Sequence, residues 1–180
     1  MSVSDLSAPL LARTGRHLRL DTLVRLRWLA IVGQSVAVAG VHFGLGFSLP
    51  FGWCFIVIAV SASLNIALRI RFPLSHRLKD GPATALLGFD IAQLAALLYM
   101  TGGLQNPFAI LFLAPVMISA TALPPHRTLL LGLLAMVLAT LLSRFHLPLP
   151  WAGADRPVLP PFYQLGNWVA LVLGHAFTGI

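Results

Sequence analysis

The chain has 180 residues, 58% of them hydrophobic and only 9% charged, with a formal net charge of +7. A soluble domain carries about 25% charged residues, so this composition excludes an ordinary soluble enzyme and points to an all-α, polytopic membrane protein. The basic residues flank apolar stretches without an aromatic-basic surface pattern, which fits lipid headgroups and not direct nucleic-acid binding.

Residues 1–26 form a basic N-terminal segment containing Arg13, Arg16, Arg19 and Arg25, with Asp5 and Asp21 as its acids. Asp21 is positioned to cap a short basic helix lying on an anionic cytoplasmic leaflet. Residues 27–180 then hold six apolar spans at approximately 28–47, 51–70, 83–100, 107–123, 128–142 and 162–180. In the first, Gly33, Ala37, Gly40 and Gly44 fall on one face, and in the second Ala59, Ser63 and Ala67 do the same. Such faces permit close helix packing, within the bundle or across a dimer. Cys54 lies in the second span as a lone thiol, which leaves no intrachain disulfide and no CxxC motif.

The third span carries Asp90 and Gln93 on the side that leads to Thr101. Then comes Thr101-Gly102-Gly103-Leu104-Gln105-Asn106-Pro107-Phe108, a tight uncharged connection. Gly102 and Gly103 open conformations closed to other residues, and Asn106 before Pro107 is an N-cap followed by proline at the first helical position. Turn chemistry accounts for every one of these residues. The same helix start also offers N–H groups and the Gln105 and Asn106 amides to carbonyl oxygens on a flat apolar ring, so turn and ligand site both stand. Pro115 is expected to kink the fourth span, on the face shared by Phe108, Phe112 and Ser119. A proline- and glycine-rich stretch with Trp151 as an interfacial anchor precedes the sixth span.

With the N-terminus inside, ten Lys or Arg fall on inner segments against Arg144 and Arg156 outside. Both termini are therefore expected in the cytoplasm and the 101–108 loop on the outer face.

No HExxH, Walker or nucleotide-binding fingerprint occurs, and the five acids form no carboxylate pair, so no catalytic residues are assigned. His17, His42, His76, His126 and His146 lack ligand spacing, and no metal site is assigned. The intramembrane polar residues are the better lead. Asp90 and His175 fall at similar depth and are expected to touch, as a structural bridge or a proton-coupling pair. Gln164 and Asn167 are level with the loop, where they either extend a polar rim or join helices.

The stretch Gly102 to Phe108, GGLQNPF, resembles the GGxxNPF heptapeptide of the RegB/PrrB redox-sensing histidine kinases, which lies between the third and fourth of six membrane helices. Leu23 to Gln34, LVRLRWLAIVGQ, is similar to that family's entry into its first helix. The resemblance implies the family's sensor domain in a bacterial inner membrane, binding ubiquinone near Gly102, Gly103, Leu104, Gln105, Asn106, Pro107, Phe108 and Phe112. It also implies a homodimer, and a kinase domain outside this chain that uses ATP and phosphorylates a response regulator. Replacing Asn106 and Phe108 together is expected to remove the quinone response while leaving the fold intact. Other classes remain open: a small proton-coupled transporter or channel using Asp90 and His175, or an anchor reporting on a respiratory oxidase.

Overall fold

The computed structural model describes residues 19–73, 77–148 and 161–178, so Arg13, Arg16, Trp151 and Arg156 lie outside the described residues. Six helices run through these residues, and no strand occurs among them: α1 (Leu20–Ala39), α2 (Phe51–Arg71), α3 (Asp80–Met100), α4 (Leu113–Ala122), α5 (Pro125–Arg144) and α6 (Pro161–Thr178). Four of them, α1, α2, α3 and α5, are long and apolar enough to cross a membrane. Before α4 comes a 3-10 stretch, Pro107–Phe112. At about 2.0 Å per 3-10 residue and 1.5 Å per α residue, the combined segment reaches about 27 Å, close to the thickness of a hydrocarbon core. The tighter coil thus compensates for a short sequence.

α1 begins at Leu20, well before Trp28, as one continuous helix. Leu20, Leu23, Val24, Arg27 and Ile31 repeat at helical spacing and are all buried, so the core-facing stripe extends into the basic segment. Asp21 does not cap this helix, whose N-cap is Arg19. Instead Asp21 pairs with Arg25 one turn on and with Arg69 at the end of α2, each at 2.9 Å. Past Ala39 the helix loosens into a π turn, Gly40–Gly44.

The small-residue faces point away from the core. A Cβ added at Gly33, Gly40 or Gly44 would meet nothing within 4 Å, and Ala59, Ser63 and Ala67 are exposed. On α2 the buried stripe is instead Cys54, Ile58, Ser61 and Asn65, and Cys54 is enclosed in a cluster with Ile31, Ile58 and Leu97.

α3 is the central helix, in contact with α2, α4 and α5, while α6 closes the other side against α4 and α5. Consecutive helices alternate in direction, so Arg19, Arg25, Arg69, Arg71, Arg77, Lys79 and Arg127 gather at one end of the bundle and the 101–106 connection lies at the other. The interruption expected at Pro115 takes the form of a change of helix type two residues earlier, where the Leu113 N–H is shared by the Ile110 and Leu111 carbonyls.

Candidate functional site

The connection after α3 is held from three sides. Gly102 and Gly103 both have positive φ, at 100° and 59°, which lets Gly103–Gln105 turn back as a 3-10 coil. Thr101, Gly102, Gly103 and Leu104 are buried against α3, α5 and α6. A Cβ on Gly103 would lie 2.7 Å from the His146 ring and from the Leu142 carbonyl oxygen, so the backbones of loop and α5 approach more closely than any side chain allows. From α6, the Asn167 amide donates to the Leu104 carbonyl at 2.8 Å. Just past α5, the Leu147 N–H donates to the Tyr99 carbonyl at 2.9 Å.

Asn106 is fully engaged within this loop. Its Oδ1 accepts from the Phe108 N–H at 2.9 Å, and its Nδ2 donates to the Thr101 hydroxyl at 2.8 Å and the Thr101 carbonyl at 3.2 Å. The Ala109 N–H in turn donates to the Asn106 carbonyl. Of the donors that the helix start offered to a ligand, the Phe108 N–H and the Asn106 amide are therefore used by the loop itself. Asn106→Ala is expected to lower stability by about 1–2 kcal/mol through loss of the cap and the Thr101 bonds. Thermal unfolding of the purified variant measures this, and an unchanged midpoint would show the loop to be held without Asn106. The double replacement of Asn106 and Phe108 is thus expected to leave a fold of lower stability.

Phe112 is fully buried in the core and presents no free ring face, while Phe108 is 43% exposed. Gln105 is half-buried, with no side-chain hydrogen bond among the described residues. Beside the loop lies a groove of about 150 Å³ lined by Pro107, Ala109, Ile110 and Leu113 on one wall and Tyr163, Asn167, Ala170 and Leu171 of α6 on the other. Its walls are mostly apolar, and Tyr163 and Asn167 are the lining residues whose side chains carry hydrogen-bond donors. Tyr163, Asn167, Ala170 and Leu171 follow i, i+4, i+7, i+8 spacing, the signal by which Tyr163 could have been found from sequence. Gln164 and Trp168 turn to α5, where Gln164 donates to the Ser143 carbonyl at 2.6 Å and Trp168 to the Thr140 hydroxyl at 3.0 Å. They join helices and do not line the groove.

Deeper in the bundle, Asp90 and His175 do not meet. Asp90 Oδ1 lies 3.3 Å from Arg27 Nη1, and Arg27 is only 4% exposed. The Arg27 guanidinium also donates to Ser61 Oγ at 3.3 Å and sits 5.2 Å over the Phe89 ring. The reason is depth. Because α1 starts at Leu20, Arg27 is two turns inside the bundle, where a buried guanidinium requires a carboxylate and Asp90 supplies it. One turn further along α3, Gln93 and Gln34 exchange reciprocal amide hydrogen bonds at 2.9 and 3.4 Å. Asn65 of α2 donates to the Val24 carbonyl at 3.0 Å, adding a third polar tie in this part of the bundle. His175 is buried on α6, with Nδ1 2.6 Å from the carbonyl of Leu171 on its own helix.

The model of the family described as the PilS-like transmembrane domain matches residues 11–158. The chain belongs to this family. Within it, the chain is 43% identical over 162 residues to a sensor histidine kinase RegB of Cereibacter sphaeroides, covering 90% of this chain and 35% of that protein. A second RegB sequence of the same organism matches at 43% over 166 residues, 92% of this chain and 36% of the relative. The PilS-like domain thus spans about a third of the length of the curated relatives it matches. No solved structure matches. A PilS-like domain of RegB type is a multi-pass domain of the inner membrane, and the six-helix, strand-free bundle agrees with it.

Proposed function

We propose that this chain is the membrane sensor domain of a redox-responsive histidine kinase and that it takes a quinone ring into the groove between Pro107–Leu113 and α6. The observation that carries this reading is the apolar groove beside the GGLQNPF loop, with Tyr163 and Asn167 as its hydrogen-bond donors. A quinone ring has two carbonyl acceptors and a flat apolar body, which matches that lining, and its isoprenoid tail would pass out over exposed Ile110 and Leu111. In this reading the heptapeptide acts mainly as scaffold. Gly102, Gly103, Leu104 and Asn106 fix the loop, while Pro107 and the residues after it form the wall that meets the ligand.

Redox state biases the domain only if the two forms of the ligand prefer different packings. α6 is the element through which such a preference would act, since it forms one groove wall and also holds the loop through Asn167. The basic end of the bundle faces the cytoplasm in this reading, so both termini are inside and the groove opens toward the outer leaflet. Histidine phosphorylation, its ATP and the response regulator belong to the part of the RegB relatives that this chain does not match, and we assign them to the full-length protein. The outward small-residue face of α1 supports a homodimer.

Ile110 is 63% exposed on the groove wall, so a larger side chain there fills the groove without disturbing the core. Ile110→Trp is expected to weaken binding of a short-chain ubiquinone by at least about tenfold, the effect of losing roughly 1.4 kcal/mol. Quinone titration of the purified domain in nanodiscs measures it, with thermal unfolding as a control for folding. Unchanged binding to a folded variant would place the quinone elsewhere or nowhere.

A further inference from the structure

At the basic end of the bundle, the chain entering α1 and the chain entering α3 lie side by side, joined by an antiparallel bridge between Arg19 and Arg77. Residues opposite each other across such a bridge project their side chains to the same side, with Cβ atoms about 4.5–5.5 Å apart. The residues that follow them, Leu20 and Leu78, are buried in the core and pin both backbones. Arg77 and Lys79 alternate with Leu78 and so turn away from that core. Arg19, Arg77 and Lys79 are all exposed.

Three cations are thus held together without a counter-charge among the described residues. Asp21 is taken by Arg25 and Arg69, at 2.9 Å each, and Asp80, in the first turn of α3, forms no ion pair among the described residues. Like charges directly opposite each other across a bridge are destabilising. An anion shared between the two arginines turns that repulsion into attraction. Phosphate suits the group, since a guanidinium presents parallel N–H donors to its oxygens and an ammonium adds a point charge. What carries the phosphate follows from the neighbouring surface. Within about 10 Å of Arg19 along α1 the outward side chains become apolar, with Leu26 and Leu29 exposed, and Ile70 is exposed at the end of α2. The cations therefore sit at headgroup depth, with surface for acyl chains beside them.

We propose that Arg19, Arg77 and Lys79 bind the phosphate of an anionic phospholipid in the leaflet that meets the basic end, with its acyl chains along α1. The lipid clamps the entry of α1 to the entry of α3, so the packing of these helices depends on lipid charge. Nothing in this proposal rests on the groove beside the loop or on its ligand.

The test compares the chain in nanodiscs of phosphatidylcholine, whose phosphate is neutralised by its own headgroup amine, with the chain in nanodiscs that also contain phosphatidylglycerol. The parent should unfold at a higher temperature with phosphatidylglycerol present. Arg19→Gln and Arg77→Gln should each weaken binding of a fluorescent phosphatidylglycerol by about fivefold, the weight of one basic side chain at an anionic surface. In phosphatidylcholine alone either variant should unfold at or above the parent temperature, because one of two repelling charges is gone; with phosphatidylglycerol the order should reverse. That reversal separates lost binding from lost folding. Arg127→Gln removes the same charge at the same end, from α5, which packs on α3, α4 and α6, and should leave phosphatidylglycerol binding unchanged. If it weakens binding as much as Arg77→Gln does, the attraction is diffuse and the proposal fails. Inorganic phosphate at constant ionic strength should not stabilise the chain in phosphatidylcholine; stabilisation equal to that by phosphatidylglycerol would mean a free anion and overturn the lipid assignment. A parent equally stable in both lipids, or Arg19 and Arg77 variants that bind as the parent does, would also overturn it.

Discussion

Arg27→Ala is expected to destabilise the bundle by about 3 kcal/mol, because it leaves the half-buried Asp90 carboxylate without its counter-charge. Arg27 is 4% exposed, and its guanidinium connects Asp90 of α3, Ser61 of α2 and the face of Phe89. Removing it therefore loosens the contacts of α1, α2 and α3 together. Asp90→Leu alone should be similarly costly, since it strands the guanidinium. The double variant Arg27→Met with Asp90→Leu should recover most of the loss, because a buried ion pair replaced by apolar side chains of similar volume is often neutral. Thermal unfolding in detergent of the two single variants and the double one gives the coupling directly. Additive losses would mean that the two charges are independently hydrated. The Asp21 pairs at the bundle end lie among partly exposed side chains and should be worth about 0–1 kcal/mol each.

Gly103→Ala is the second change with a large expected cost. A left-handed backbone disfavours a Cβ by about 1–2 kcal/mol, and overpacking typically adds about 1–3 kcal/mol. The neighbours at 2.7 Å are the His146 ring and the Leu142 carbonyl oxygen. The ring can rotate away, but the carbonyl belongs to the backbone of α5. Adding His146→Ala to Gly103→Ala should therefore restore only part of the stability. Gly33→Ala is the contrasting control: nothing lies within 4 Å of an added Cβ, and alanine is the better helix former by about 0.5–1 kcal/mol. Unfolding midpoints that ranked Gly33→Ala below Gly103→Ala would contradict this account of the loop.

These expectations change what the heptapeptide means chemically. From sequence, GGLQNPF is both a turn and a set of donors for a ring carbonyl. In the folded chain, the turn consumes the donors of Asn106 and Phe108 and leaves only the Gln105 amide. Asn106 caps Phe108 and holds Thr101, and Phe112 fills the core. The surface left for a ligand is the outer wall of the Pro107–Leu113 segment and the facing side of α6. Loss of a quinone response in a heptapeptide variant would then have two origins, a disturbed loop or a blocked groove. Asn106→Ala and Ile110→Trp separate them, because the first lowers stability and the second does not.

Composition and periodicity alone determined that this is an all-α membrane protein with six helical segments. They also located the tight connection after the third helix, because apolar spans, proline, glycine and caps are local signals that survive without partners. The resemblance of GGLQNPF and its position between helices reached the family. Which polar groups meet was decided only by tertiary structure. Asp90 was matched by depth to His175, yet the early start of α1 carries Arg27 into the bundle, and a buried guanidinium is a stronger partner for a carboxylate than an imidazole already bonded to its own helix. The small faces of α1 and α2 could not be assigned from sequence, since glycine and alanine suit a helix contact or an open face equally well, and the fold turned them outward. The groove exists only where α6 packs against the Pro107–Leu113 segment, so its lining joins residues far apart in the chain and no local pattern announces it.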